Sequence, residues 1–349
     1  MKPFFVLFVF GCSARSGEGR GSKTAFSKKI AYFVAAVAAN FLIGSLACAG
    51  DLQPANPSTY EKARGVLDKA SKEQPWQNSL GMKFVPVVGT QALFSIWDTR
   101  LQDFQAFADS TGYDATDGMW SLGTDGWKQR GATWKDPGFK QDPTHPVVGV
   151  SWDDAKAFCD WLTKREHASG ALPEGLEYRL PTDQEWSVAV GLNYEPGNTP
   201  QEKSAKVKAY VWGQAWPPPT GAGNYCGVES AIGSEPSNWK VIDGYNDGYP
   251  RTSPVGSFAA NSNGLYDMGG NVWQWCEDWY NSENTHRVLR GAAWDSRSPL
   301  FMLASARDYI TPDYRGGFIG FRCVLAIETP PEAIPTQPSP EAIPTQPSQ

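Results

Sequence analysis

Asn263-Gly-Leu-Tyr-Asp-Met-Gly-Gly-Asn-Val-Trp-Gln-Trp275 packs glycines, amides, a carboxylate and two tryptophans into thirteen residues. The same mixture runs through the whole chain of 349 residues, with Gly 35, Pro 27 and Trp 15 beside only 19% charged residues. Such a composition describes a loop-rich interior held by aromatic packing rather than by long amphipathic helices. The length permits two domains or one large one. A formal net charge of -6, with no Lys/Arg-dense run beyond Lys29, argues against nucleic acid as a partner.

Regular elements on either side of this stretch are short. Thr99 with Gln102, Ser151 with Asp154 and Thr182 with Glu185 each place a hydroxyl at a helix N-cap and an acceptor three residues on, which satisfies amides that the helix leaves orphaned. Leu101, Phe104, Phe107 and Ala108 form an apolar stripe closed by Gly112, and Ala155, Phe158, Cys159 and Leu162 form another. Phe84–Val88, Val147–Val150 and Phe321–Leu325 read as strands. Residues 196–260 show neither period, only turn residues and aromatics. The fold class is α+β, one irregular domain with low regular content.

The chain ends read differently. Lys23, Lys28 and Lys29 precede an apolar run from Ile30 to Leu46 that closes on Ala47-Cys48-Ala49, so residues 1–49 are expected to be a signal peptide and the mature protein extracytoplasmic, periplasmic or secreted. An uncleaved leader would instead be a membrane anchor. Residues 50–77 read as a linker with one short helix from Tyr60 to Ala70, 78–327 as the domain, and 328–349 as a Pro-rich tail whose tandem Pro-Glu-Ala-Ile-Pro-Thr-Gln-Pro-Ser copies cannot bury a core. The mature chain keeps Cys159, Cys226, Cys276 and Cys323, an even number that favours disulfides after export. There is no C-x-x-C pair, and His145, His167 and His286 are scattered, which speaks against zinc or a Cys/His nucleophile. G-x-S-x-G, P-loop and H-E-x-x-H motifs are also missing from the sequence.

Six segments stand in a recognisable order: Asn78-Ser-Leu-Gly-Met-Lys-Phe-Val-Pro-Val, His145-Pro-Val-Val-Gly-Val-Ser-Trp-Asp-Asp-Ala, Arg179-Leu-Pro-Thr-Asp-Gln-Glu-Trp, the opening stretch, Arg290-Gly and Gly320-Phe-Arg-Cys. In that order they resemble the formylglycine-generating-enzyme, or sulfatase-modifying-factor, family. The resemblance spans about 250 residues and implies that family's single-domain fold, related to C-type lectins. It also implies a copper site built on two cysteines just after the Arg-Gly segment, thiolates being the soft ligands Cu(I) needs. Here Ser296 and Phe301 stand at those two positions, so no catalytic residue is expected and copper is not expected as a cofactor. Cys159 and Cys323 resemble a pair that the family joins by a disulfide.

The same resemblance implies calcium, a hard cation taken by oxygen ligands. A first site would use the Asn224 and Asp247 side chains with the Tyr225 and Tyr249 carbonyls. A second would use Asp267, the Gly270 and Val272 carbonyls, and Gln274, which stands where relatives often have Glu. Trp294, Arg307, Asp308, Tyr314 and Arg315 match the segment that lines the family's substrate groove. Trp120, Trp127 and Trp134, in a Gly-rich stretch, are either a stacking surface or core, while Trp273, Trp275 and Trp279 read as packing. The expected function is a non-catalytic, calcium-stabilised exported domain that binds a protein, peptide or glycan. The alternative is a diverged formylglycine-generating oxidase or accessory factor acting on exported sulfatases.

Overall fold

The computed structural model describes residues 57–328, so the expected leader and its cleavage site lie outside the described residues, as does nearly all of the expected tail. Helix α1 (Pro57–Leu67) opens the described chain. Strands β1 (Trp76–Gln77), β2 (Lys83–Pro86) and β3 (Ala92–Ser95) lead to helix α2 (Leu101–Thr111) and a hairpin of β4 (Trp120–Gly123) and β5 (Gly126–Gln129). Helix α3 (Trp152–Ser169), strand β6 (Leu176–Arg179), helix α4 (Asp183–Val190) and the single turn α5 (Pro200–Lys203) follow. Between Lys203 and Trp273 the only regular element is a three-residue 3-10 turn, Val228–Ser230. Strands β7 (Trp273–Trp279), β8 (Arg287–Arg290), β9 (Asp308–Ile310), β10 (Ile319–Gly320) and β11 (Val324–Ile327) complete the fold.

The strands form a five-stranded sheet in the order β1-β2-β3-β11-β6, a four-stranded sheet in the order β10-β7-β8-β9, and the separate β4-β5 hairpin. The last strand pairs antiparallel with both β3 and β6, and β10 pairs parallel with β7. Phe321-Arg322-Cys323 therefore crosses from one sheet to the other. That crossing is why the expected strand 321–325 is broken: only its end enters the ladder, while Ser95 and Thr99 donate their N–H groups to the Cys323 and Phe321 carbonyls at 3.0 and 2.8 Å.

Local sequence explains most of the elements. Ser151 Oγ accepts from Asp154 N at 3.1 Å while Asp154 Oδ2 accepts from Ser151 N at 2.8 Å, and Thr182 and Glu185 repeat the exchange at the start of α4. The stripe of α3 is buried as expected, with Ala155, Phe158, Cys159 and Leu162 fully covered. Phe158 stands 5.5 Å from Phe321 and 6.1 Å from Phe104, so the helix seals the core against the crossing segment. Each such ring contributes roughly 1.5–3 kcal/mol by its burial.

Three expectations differ from the structure. Helix α2 starts one residue later than Thr99 implies: Arg100 occupies the N-cap, and Asp103, not Gln102, accepts its N–H at 3.0 Å. Thr99 is instead buried, its hydroxyl 3.6 Å from Cys323 Sγ. Val147–Val150 forms no strand, because Val147 N bonds Thr99 O, Gly149 N bonds Gly316 O, and Gly149 sits at φ +72. Finally, α1 is not on a free linker: Ala63 and Leu67 are buried in the main core, and β1 is an edge of the first sheet.

Candidate functional site

The recognisable segments converge on a buried polar lattice. Arg290 and Arg307 both bind the Asp183 carboxylate, Arg307 Nη2 at 2.9 Å, and Arg307 also reaches Glu195 Oε2 at 2.8 Å. Burial pushes the Asp183 carboxyl up, but the two guanidinium charges outweigh it and hold the group below its ordinary value. Arg322, wholly buried, donates to Gln274 Oε1 (2.8 Å), Ser95 O (2.9 Å) and Tyr266 O (2.7 Å). Arg315 makes a two-point pair with Asp154 at 2.7 and 2.8 Å. Arg307 and Arg315, expected on a ligand groove, are thus held by internal carboxylates.

No thiolate stands where copper chemistry needs it. Ser296 is buried, its Oγ accepting from Ala293 N at 3.0 Å, and Phe301 is 52% exposed. The four described cysteines are buried thiols. Burial pushes the Cys159, Cys226 and Cys276 thiols up, the opposite of what a metal or nucleophilic thiolate needs. Ser296 and Phe301 do not fit copper. The expected Cys159–Cys323 disulfide is not formed in this structure, where the two sulfurs stand 3.6 Å apart, a thiol contact rather than a bond of about 2.05 Å.

The β4-β5 hairpin and residues 314–318 bring a chain of aromatic rings together. Trp120 stacks on Tyr314 (6.1 Å, 15°), Tyr314 neighbours Phe318 (6.4 Å), and Phe318 meets Trp127 edge-on (4.8 Å, 72°). Trp127 in turn lies 5.9 Å from Trp294. The β4-β5 hairpin supplies Trp120 and Trp127, both half-buried. Trp294 is buried, its Nε1 donating to Gly317 O at 2.9 Å, with the Arg251 guanidinium 4.8 Å from its ring centroid. It offers no free face of the kind expected. Trp134 is likewise core, packed 5.1 Å from Phe104. Asp308, Tyr314 and Arg315 are the half-buried members of the expected groove set, and Asp295 is half-buried as well. Burial pushes the Asp295 carboxyl up to about 6, with Arg297 easing it; burial also raises Asp308, and raises Tyr314 with the help of both carboxylates.

The two calcium sets differ. In the first, Asn224 is fully buried and its Oδ1 has no hydrogen-bond partner, while Asp247 accepts from Tyr225 N (2.8 Å) and Tyr249 N (2.9 Å). Burial pushes the Asp247 carboxyl up to about 7 even against those two N–H groups, and Glu229 adds a like charge. An orphaned buried amide oxygen beside a carboxylate in need of a cation fits calcium, which Asn224, Asp247 and the Tyr225 and Tyr249 carbonyls would hold as a structural tie between two loops. The second set does not fit. Gln274 Oε1 already accepts from Trp186 Nε1 (2.9 Å) and the Arg322 cation, and Gln274 Nε2 donates to Asp267 O at 2.8 Å, so a guanidinium stands beside the oxygen a metal would need. Asp267, at φ +55, accepts from Gly256 N (2.8 Å) and lines a cavity of about 160 Å³ with Val211, Phe258 and Leu265. Among the described residues, no three His, Cys, Asp or Glu side chains converge as a metal cluster.

Sequence reading missed Asp295 and Glu229. Asp295 sits between two recognised positions, Trp294 and Ser296, and only its surroundings distinguish it from a turn acid. Glu229 lies in the aperiodic region and carries no motif.

Fold and site together define an irregular α+β domain with a cluster of aromatic rings, half-buried carboxyls, buried thiols in place of a thiolate pair among the described residues, and a set of oxygen donors that fits a hard cation. The chain belongs to the family described as "Sulfatase-modifying factor enzyme 1-like domain", whose model matches residues 94–327. It is 32% identical over 217 residues to the "Formylglycine-generating enzyme" of Streptomyces coelicolor, covering 56% of this chain and 58% of that protein. It is also 32% identical over 211 residues to the "Inactive C-alpha-formylglycine-generating enzyme 2" of Bos taurus, covering 57% of this chain and 58% of that protein. The match therefore spans less than two thirds of either relative's length. The solved structure of PvdO from Pseudomonas aeruginosa is similar at a TM-score of 0.46 and 23% identity, over 68% of this chain and 80% of that one.

Proposed function

We propose that this is a non-catalytic, calcium-stabilised domain, acting outside the cytoplasm, that binds a protein, peptide or glycan ligand on the half-buried rings of Trp120, Trp127, Tyr314 and Phe318. The observation that carries the reading is the chemistry at the two copper positions: a buried serine whose hydroxyl is engaged by Ala293 N, and an exposed phenylalanine. Neither supplies a thiolate for Cu(I). The Asp295 and Asp308 carboxyls, kept half-buried at a cost in solvation, support a ligand that brings hydrogen-bond donors such as sugar hydroxyls or peptide amines, with its apolar faces stacked on the rings. A relative of similar identity is named inactive, which accords with the same reading.

The alternative, a diverged formylglycine-generating oxidase, is favoured by the 32% identity to a bacterial protein of that name. Copper-supplemented protein incubated with a Cys-x-Pro-x-Arg peptide separates the two readings by mass spectrometry. The expected result is no aldehyde, beside a working control enzyme; conversion of the peptide overturns the binding reading.

A further inference from the structure

Glu229, at the centre of the 3-10 turn Val228–Ser230, is placed in a way that nothing else in the protein accounts for. Both of its carboxylate oxygens are buried, and neither receives a hydrogen bond from any N–H or O–H. Among the described residues, no Lys, Arg or His forms an ion pair with Glu229 or with Asp247, to which Glu229 adds a like charge. A buried, unpaired carboxylate is strongly disfavoured unless something neutralises it. Two of like charge make that demand greater.

The backbone makes room for this carboxylate. Gly227 has an ordinary φ of -82, so it is not needed for a left-handed turn, yet a Cβ there would stand 2.5 Å from both Glu229 oxygens and 2.7 Å from Tyr245 O. The glycine is therefore a cradle: its missing side chain is the space the Glu229 carboxylate fills. Around that space the chain gathers oxygen. Tyr225 O, one of the carbonyls of the first calcium set, accepts from Gly227 N at 2.8 Å; Asp247 Oδ2 is tied to Tyr225 N; and Asn224 Oδ1, one residue away in the chain, is buried without a partner.

We propose that Glu229 is a further anionic ligand of the first calcium site, that Gly227 is kept small to seat it, and that this chain holds one calcium ion at that site rather than two. The inference rests on the calcium part of the proposed function and adds to it the residue that supplies the second negative charge. Two carboxylates with amide and backbone oxygens form a hard-oxygen donor set, and affinity in such sites scales with the number of charged ligands. Near the second set, the Arg322 guanidinium occupies Gln274 Oε1, Ser95 O and Tyr266 O with a cation of the protein's own.

The test uses the full mature chain stripped with EGTA, with calcium itself as probe, followed by isothermal titration and by thermal melting. For the wild type we expect one ion per chain and a rise in Tm on adding calcium. Glu229→Gln should weaken binding about tenfold or more, while the melting temperature in EGTA stays the same or rises, because a buried charge has been removed. Gly227→Ala, whose φ any residue can adopt, should also lose calcium affinity. If the wild type neither binds calcium nor gains Tm, the calcium reading fails and the inference with it. If the wild type binds but Glu229→Gln binds equally well, the calcium reading stands and the Glu229 assignment is wrong. Two ions per chain would overturn the single-site claim.

Discussion

Replacing Asp183 by asparagine keeps the shape of the side chain and removes the charge that balances two buried cations. The Arg290 and Arg307 side chains are 0% exposed and that of Asp183 is 4% exposed. After the change, Arg307 still pairs with Glu195 at 2.8 Å, but Arg290 keeps Ser187 Oγ and Ala304 O, both at 2.9 Å, and the backbone carbonyl of residue 183 at 3.4 Å, with no carboxylate. Removing one partner of a buried pair costs about 3–5 kcal/mol, because a desolvated charge is left uncompensated. In urea, with an m value of about 3 kcal/mol per M, the midpoint should fall by roughly 1–1.7 M at unchanged m, read by tryptophan fluorescence. Glu277→Gln provides the contrast, since the partly exposed Lys156–Glu277 pair at 3.2 Å should be worth less than about 1 kcal/mol. The pH dependence has a definite sign. The Asp183 carboxyl is held below its ordinary value in the folded state, so its stabilisation is complete above the unfolded carboxylate value of about 4 and is lost as pH falls through the lower folded value. The gap between wild type and Asp183→Asn should thus be full at pH 7 and narrow below about pH 4. A variant that unfolds within about 1 kcal/mol of wild type at pH 7 refutes the claim that this lattice ties the fold together.

Asp295→Asn should act in the opposite direction. A carboxyl raised from 3.8 to about 6 binds more protons folded than unfolded, so its ionisation costs stability that is absent below about pH 4 and complete above about pH 6. At pH 7.5 the amide should stabilise the protein by up to about 3 kcal/mol, with no gain at pH 3.5, as read by thermal melting; a loss of stability at pH 7.5 would show that the carboxylate has a structural partner. Thr182→Ala removes the hydroxyl that accepts Glu185 N at 3.1 Å and should cost about 1 kcal/mol in the same urea assay; no change would mean that the Glu185 carboxylate alone caps α4. The Cys159–Cys323 disulfide that the family resemblance implies is proposed for the oxidised, exported protein, and non-reducing peptide mapping should then yield the cross-linked peptide. Recovery of both cysteines alkylated from oxidised protein rejects it.

What sequence alone determined here was local or repeated along the chain. The caps at Ser151 and Thr182 were legible because hydroxyl and carboxylate lie three residues apart on one backbone, and the α3 stripe because its period is that of a helix. The order of the recognisable segments sufficed for the family, and the missing thiolates were visible by inspection, since a residue type needs no coordinates. Partners distant in the chain were decided by the tertiary structure. Val147–Val150 has strand composition but finds its acceptors on Thr99 and Gly316, so it joins no ladder. Arg307 and Arg315 look like free groove cations until Asp183, Glu195 and Asp154 are brought against them from elsewhere in the chain. Asp295 and Glu229 became visible only through burial, which is a property of everything packed around a carboxylate and not of the residues beside it in sequence.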